Sequence, residues 1–295
     1  MTKSKTQGVV ERVANQIITK LEAGNLPPWS SGRNELVNRP SNVVRKTLYK
    51  GLNSFILSYS EYETPLWGTF ANWKEMGTYI RKDEKSTLVI AWSRKVTVKD
   101  VLNKKGETEE KTYVRWVPFQ HNIFNIHQTA MTPEQIATLL PDVTPTSDEK
   151  YPEGLEVANS YLENSGVKFA HKNCTPCYIP SKDMINMPKS EVYFSQDAYV
   201  STLFHEMGHS TGATSRLDRD FSGGFGSEKY SFEELVAEMT AASLCSVTKV
   251  VNSRNLDNSA AYIKSWLEVL QNDIGMISKA ASQAQKAVDL ILGNV

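Results

Sequence analysis

The stretch Leu203-Phe204-His205-Glu206-Met207-Gly208-His209 contains the pattern His-Glu-x-x-His, which decides how the second half of the chain is interpreted. On a helix, residues four apart lie on one face, so His205 and His209 are expected to present their imidazoles side by side. Two such imidazoles can hold one zinc ion, and Glu206 follows the first of them. The motif predicts a catalytic zinc site with Glu206 as general base toward a water molecule. The alternative is a chance match, which is disfavoured because histidine is scarce, with 5 in 295 residues.

A catalytic zinc site usually has three protein ligands, so the motif requires a third. Residues 232–242 are predicted to form a helix that carries Glu234 and Glu238 on one face. We expect Glu234 to be the third ligand and Glu238 to hydrogen-bond a ligating histidine. Glu233 is expected to face solvent. The alternative third ligands lie upstream and are His121, His127 and His171.

A glycine-rich loop, residues 215–230, connects the two predicted helices and is expected to border a cleft. Tyr230 at its end is a candidate donor to a reaction oxyanion. Spacing alone does not identify the metal, because manganese and other divalent ions accept similar ligands. The sequence therefore predicts zinc, with another divalent metal such as manganese as the alternative.

The composition is that of a globular protein, with 22% charged and 40% hydrophobic residues. No apolar run approaches the ~18 residues of a membrane span. The N-terminal segment lacks the apolar core of a secretory signal, and three cysteines favour a reducing cytoplasm over a disulfide framework. Cys174 and Cys177 form a lone CxxC pair, for which a structural or redox-inert role is favoured over a zinc site.

The net charge of zero conceals an asymmetry between the two halves. Residues 1–130 contain 20 Lys and Arg against 12 Asp and Glu, a net charge of +8, and residues 131–295 contain 13 against 21, a net charge of −8. This asymmetry predicts two domains with different partners, the basic one facing a polyanion. The alternative is a basic half that is merely solvated.

Five of the six tryptophans lie in the basic half, interleaved with lysines and arginines. This pattern is typical of single-strand binders, in which bases stack on rings and cations follow the phosphates. For each tryptophan taken alone, a place in the hydrophobic core is favoured over a role as stacking platform. Because no helix-turn-helix, zinc-finger or RNP pattern is present, duplex reading is disfavoured. The candidate nucleic-acid-binding residues are Trp29, Arg45, Lys46, Tyr49, Lys50, Trp73, Arg81 and Lys82.

Hydrophobic periodicity and turn residues predict an α+β protein with two domains. The proposed boundaries are 1–130 for the basic domain, 131–152 for a proline-rich linker and 153–295 for the metal-binding domain. Predicted helices cover residues 9–22, 52–60, 133–140, 154–164, 197–212, 260–270 and 273–292. Predicted strands cover residues 87–94, which continue extended over residues 96–101, and residues 112–119, with a polar hairpin tip between them. Three further short strands are predicted at residues 167–171, 177–180 and 183–187.

The chain resembles the ArdC-type antirestriction proteins of conjugative plasmids and other mobile elements over nearly its full length. The motifs that carry the resemblance include Tyr49-x-Gly51-Leu52-Asn53, Trp73-x-x-Met76-Gly77, Phe124-Asn125-Ile126-x-Gln128-Thr129, Thr202-Leu203-x-His205-Glu206-x-x-His209, Phe225-Gly226-Ser227-Glu228-x-Tyr230 and Glu233-Glu234-Leu235-Val236-Ala237-Glu238. The resemblance implies a first domain that binds single-stranded DNA and a second, zincin-like metallopeptidase domain. The role it implies is protection of incoming DNA from host restriction during conjugation.

The gluzincin pattern E-x-x-A is similar to Glu234-x-x-Ala237, which favours Glu234 as the third ligand. Cys174 and Cys177 depart from the family pattern. The protein substrate is not identified, although a DNA-bound or restriction-related protein would suit the two halves. Two rival functions remain, a DNA-masking protein whose metal site is structural or vestigial, and a nuclease. Three ligands beside an intact Glu206 favour catalysis over a closed structural site.

Overall fold

A computed structural model describes residues 5–22, 40–58, 60, 62, 64–102, 108–140, 154–224, 227–250, 270, 273 and 275–294 of the chain. The helices of its first half are α1 (Lys5–Glu22), α2 (Leu52–Ser58), α3 (Phe70–Glu75) and α4 (Pro133–Leu139). The strands of this half are β1 (Ser41–Asn42), β2 (Leu66–Gly68), β3 (Thr87–Leu102) and β4 (Thr108–Asn125).

The four strands form one mixed sheet in the order β1-β2-β4-β3. β1 runs parallel to β2, and the other neighbours are antiparallel. β3 and β4 form a long hairpin whose pairing is unbroken from Thr87 opposite Ile123 to Leu102 opposite Thr108. Among the described residues of this hairpin, those at its base pack against the rest of the protein, because Val89 and Ile90 are buried whereas residues 92–100 are exposed.

The free edge of β3 is anchored at its base by two amide side chains. Gln16 on α1 donates to the carbonyl of Leu88 at 2.9 Å and accepts from the Leu88 amide at 3.1 Å. Asn53 on α2 makes the same pair of contacts with Ile90, at 2.7 and 2.8 Å. These bonds satisfy backbone groups that an edge strand would otherwise leave unpaired.

The second half contains α5 (Gly154–Asn164), β5 (Lys168–His171), β6 (Cys177–Ile179), β7 (Met184–Met187), α6 (Gln196–Ser210), α7 (Glu228–Thr248) and α8 (Gly275–Ile291). The three strands form a small sheet in the order β5-β7-β6, with β5 parallel and β6 antiparallel to β7. Serine side chains cap the N-termini of α6 and α7. Ser195 accepts from the amide of Ala198 at the start of α6, and Ser227 accepts from that of Tyr230 at the start of α7.

The two halves share a hydrophobic core. Ile17 on α1 and Phe55 on α2 belong to the same buried cluster as Leu235 and Met239 on α7 and Ala280 on α8. A second cluster lies within the second half, between α5, α6, α7, α8 and the small sheet. Because α1 is buried against helices of the other half, residues 1–130 would expose this apolar surface if they were isolated.

The predicted helices and strands are confirmed wherever they lie in the described residues, with ends that shift by a few residues. The predicted extended continuation of the first hairpin strand over residues 96–101 is confirmed. The second strand is longer than predicted at both ends, because its pairing with β3 covers residues 108–123. The predicted helix at residues 260–270 lies outside the described residues except for Leu270, as do Trp29 and most of the predicted linker. Within the described residues, no helix is long and apolar enough to cross a membrane.

Candidate metal centre

The site is built where α6 and α7 cross at close range. A Cβ atom added to Gly208 would lie 3.1 Å from the Cα and 3.3 Å from the carbonyl oxygen of Ala237. These small residues allow the two helix backbones to approach each other beside the His-Glu-x-x-His motif. The crossing turns Glu234, one helical turn before Ala237, toward the two histidines.

Three side chains present ligand atoms to one point. The Nε2 atoms of His205 and His209 are 3.1 Å apart. Oε2 of Glu234 lies 3.5 Å from Nε2 of His205, and Oε1 of Glu234 lies 3.5 Å from Nε2 of His209. A tetrahedral zinc ion with ligand bonds of about 2.0–2.1 Å separates its ligand atoms by about 3.3 Å. The group therefore fits a divalent metal. The other three histidines, His121, His127 and His171, are not part of this group within the described residues.

Glu233 orients His209. Its carboxylate lies 3.1 Å from Nδ1 of His209 and accepts two hydrogen bonds from Arg219, at 2.8 and 2.7 Å. The Nδ1 proton is thereby directed to Glu233, and Nε2 keeps its lone pair for a metal. The expectation that Glu233 faces solvent was wrong, because this residue is 6% exposed.

Arg219 was missed from the sequence. It lies in the glycine-rich loop, but its guanidinium is buried and also donates to Thr211 and to the carbonyl of Gly208. The loop therefore folds onto the end of α6. No sequence signal distinguishes Arg219 from the other charged residues of this loop.

Glu238 lies beside the other ligating histidine. One of its carboxylate oxygens is 3.5 Å from Nδ1 of His205, within ion-pair range but without a hydrogen bond. The placement is compatible with the predicted support of this imidazole. That role stays a prediction.

Glu206 and Tyr230 line one cleft of about 460 Å³ together with the three candidate ligands. Glu206 is 7% exposed, and Tyr230 hydrogen-bonds Glu234.

Cys177 of the unassigned CxxC pair lines the same cleft, and it is a free thiol, as is Cys174. Burial and the nearby Glu206 carboxylate raise the pKa of Cys177. A neutral thiol agrees with the redox-inert interpretation.

The acids around the histidines control their protonation. Burial by itself lowers the pKa of His209, but Glu233 and Glu234 outweigh burial and raise it to about 9. Burial raises the pKa of Glu234, but His205 and His209 outweigh burial and lower it to about 2. In the metal-free chain the excess negative charge of the acids therefore keeps His209 protonated near pH 7.

The structure revises part of the predicted nucleic-acid-binding set. Trp73 is fully buried and its indole donates to the carbonyl of Phe124, so no face of the ring is open to a base. Arg81 is held by Glu84 and by the carbonyl of Thr129. Tyr49 is half-buried against the core. The exposed cations of the set are Arg45, Lys46, Lys50, Lys82 and Arg81, and the side chain of Arg81 is 52% exposed although it is paired with Glu84.

Comparison with known proteins now identifies the family. Residues 7–124 match the N-terminal domain of anti-restriction factor ArdC, and residues 156–283 match a zincin-like metallopeptidase domain. The metal-free crystal structure of the antirestriction protein ArdC from the R388 plasmid aligns with a TM-score of 0.68, at 30% identity and over 97% of both chains. The chain belongs to the ArdC antirestriction family. The Mn(II)-bound structure of the same ArdC protein aligns with a TM-score of 0.69.

Two curated relatives extend the comparison of this ArdC family member. An uncharacterized protein, y4eC of Sinorhizobium fredii, is 33% identical over 95% of this chain and 90% of its own length. The DNA primase TraC of Escherichia coli is 32% identical over 96% of this chain, which spans only 20% of that primase. The family membership confirms the resemblance and the two-domain α+β fold, with its zincin-like second domain.

We predict that Glu233→Gln weakens metal binding by about 10- to 100-fold. The neutral amide accepts a weaker hydrogen bond from Nδ1–H of His209 than the charged carboxylate does. Competition with a chromogenic chelator measures this affinity for zinc and manganese. The matched control is Glu163→Gln, an exposed acid on α5 that removes the same charge. Equal affinities for the two variants would contradict an orienting role for Glu233.

We also predict that metal binding at pH 7 releases roughly one proton. A metal requires neutral imidazoles, whereas a pKa of about 9 leaves His209 protonated at pH 7 in the metal-free chain. Affinity is therefore expected to rise with pH and to level off above pH 9. Calorimetry in buffers of different ionisation enthalpy counts the protons, and binding without proton release would refute the prediction.

Proposed function

We propose that this chain is a zinc-dependent peptidase within the ArdC family. The observation that carries the proposal is the convergence of His205, His209 and Glu234 at metal-ligand spacing, in the same cleft as Glu206. A bound zinc ion would polarise a peptide carbonyl and increase the acidity of water in the cleft. Manganese is the alternative ion, since the R388 relative has an Mn(II)-bound structure.

The residues around the ligands have separate roles in this proposal. Glu206 accepts a proton from the attacking water and passes it to the leaving amine. Tyr230, on the wall of the same cleft, is the candidate donor to the oxyanion, a role in which its hydroxyl would exchange its hydrogen bond to Glu234 for one to the substrate. Glu233 and Glu238 hold the two imidazoles in register.

A purely structural metal site is the main rival. Structural zinc is normally enclosed by four protein ligands, whereas the described residues supply a group of three that lines an open cleft. A metal held by these three residues would be open to water beside the buried Glu206 carboxylate, which suits catalysis better than a structural role. This geometry favours the peptidase.

We further propose that the first half binds single-stranded DNA and that the protein protects incoming DNA from restriction during conjugation. The proposal is supported by the net charge of +8 on residues 1–130 and by the match to the N-terminal domain of ArdC. An E. coli relative, of which this chain spans 20%, is named DNA primase TraC. A protein bound to DNA is the proposed class of peptidase substrate, because the shared core holds the two activities in one body.

Glu206→Gln is expected to lower the rate of peptide hydrolysis by about 100-fold or more, while the metal content of the protein stays unchanged. The amide is close in shape to the carboxylate but takes no proton. Activity is measured on a panel of DNA-binding proteins, with and without single-stranded DNA, and Glu163→Gln serves as the charge-matched control. If Glu206→Gln cleaves as well as the control, or the purified protein binds no divalent metal, the peptidase proposal fails.

The full chain is expected to bind a single-stranded oligonucleotide about tenfold or more tightly than the duplex of the same sequence. Stacking on aromatic side chains requires base faces that a duplex covers. Fluorescence anisotropy at several salt concentrations measures both affinities and the salt dependence. Equal affinity for single strands and duplex would indicate nonspecific electrostatic binding by a basic surface and would contradict the proposal. The full chain is used because its two halves share a core.

A further inference from the structure

The outer part of the β3–β4 hairpin is an exposed two-stranded ribbon with two different faces. Side chains alternate between faces along each strand, and directly opposed residues share a face. One face carries Lys95 opposite Arg115, Thr97 opposite Tyr113 and Lys99 opposite Lys111. We call this set of six residues the cationic face.

Charge is segregated between the two faces. We call each pair of directly opposed residues a row and number it by its β3 residue. In rows 94–101, the side of the ribbon that includes the cationic face has four cations and one acid, Glu109, which gives a net charge of 4 − 1 = +3. The other side has Arg94 against Asp100 and Glu110, a net charge of 1 − 2 = −1. Residues 94–100 and 109–116 are exposed. A solvated ribbon does not need this separation in order to fold.

The cationic face also places like charges in direct opposition. Lys95 faces Arg115 and Lys99 faces Lys111, an arrangement that destabilises antiparallel strands. None of these four cations forms an ion pair with another described residue. The repulsion has no compensation within the described fold, but a polyanion lying along the ribbon would remove it.

An exposed aromatic ring lies between the two pairs of cations. Tyr113 is 45% exposed and occupies the row midway between Lys95–Arg115 and Lys99–Lys111. Adjacent rows on one face are about 7 Å apart, so the cation pairs lie about 14 Å apart with the ring at the centre. Cations on both sides of a stacking ring match the alternation of phosphates and bases in a single strand.

We propose that the cationic face of the β3–β4 hairpin binds single-stranded DNA, with Lys95, Arg115, Lys99 and Lys111 on phosphates and Tyr113 stacked on a base. The proposal rests on the single-stranded-DNA binding proposed above and locates it at a surface outside the predicted set of residues. A duplex satisfies the cations but leaves Tyr113 without a base face. An acidic protein segment would likewise leave the ring unused.

The ribbon is suited to this role because it is held only at its base. Gln16 and Asn53 fix the backbone of β3 at Leu88 and Ile90, and the rows beyond them are accessible from solvent. Substitutions in the outer rows therefore change the ligand surface without opening the core. Replacing cations by threonine, a good strand former, also removes the cross-strand repulsion.

The test compares variants of the full chain by anisotropy with a fluorescent single-stranded oligonucleotide. The double substitution Lys95→Thr/Arg115→Thr is expected to weaken binding about tenfold and to lower the slope of log K against log salt by about 1.4, twice the ~0.7 per phosphate contact of single strands. Its melting temperature should be unchanged or higher. Tyr113→Ala is expected to weaken binding about tenfold with little change in slope, and Tyr113→Phe to restore it.

The matched control is a neighbouring residue on the opposite face. Arg94→Thr removes the same charge as Lys95→Thr, one position away on the same strand, and is expected to retain wild-type affinity and salt slope. Equal losses in these two single variants, or wild-type binding by the double variant, would overturn the assignment to the cationic face. A wild-type chain without affinity for single-stranded DNA would overturn the proposed function itself.

Discussion

The close crossing of α6 and α7 is the constraint on which the metal centre depends. Gly208 and Ala237 permit a backbone approach that larger side chains would prevent. That approach sets Glu234 opposite His205 and His209, with all three pairs of ligand atoms 3.1–3.5 Å apart. A metal site demands ligand placement within a few tenths of an ångström, so rigid helices are better supports than loops.

Electrostatics couples this crossing to the surrounding loop. Glu233 and Glu234 concentrate negative charge around two imidazoles, which retains a proton in the metal-free chain and favours a divalent cation in its place. Arg219 neutralises part of that charge by binding Glu233. The glycine-rich loop is therefore folded against the ligands it follows in sequence, and it forms part of the cleft wall.

The same helix α7 also joins the metal centre to the first half of the chain. Its apolar side chains Leu235 and Met239 belong to the same buried cluster as α1, α2 and α8. α8 contacts α7 as well as α1 and α2. α1 and α2 in turn anchor the base of the long hairpin through Gln16 and Asn53. A strand bound on the hairpin and a polypeptide in the cleft would thus be held by one continuous core. This arrangement would keep a DNA-bound protein substrate close to the proposed peptidase cleft.

Local periodicity by itself determined most of the helices and the hairpin. It also determined which strand residues share a face, because residues two apart point to the same side of a strand. The pairing of His205 with His209 and the turn from Glu234 to Glu238 followed from the same rule. Tertiary structure alone decided between adjacent acids, since the angle of α7 against α6 buries Glu233 rather than exposing it. It also decided which aromatic rings are free: Trp73 is enclosed by packing, whereas Tyr113 lies on a ribbon that no other described element covers. Burial depends on residues distant in the sequence, and no local pattern encodes it.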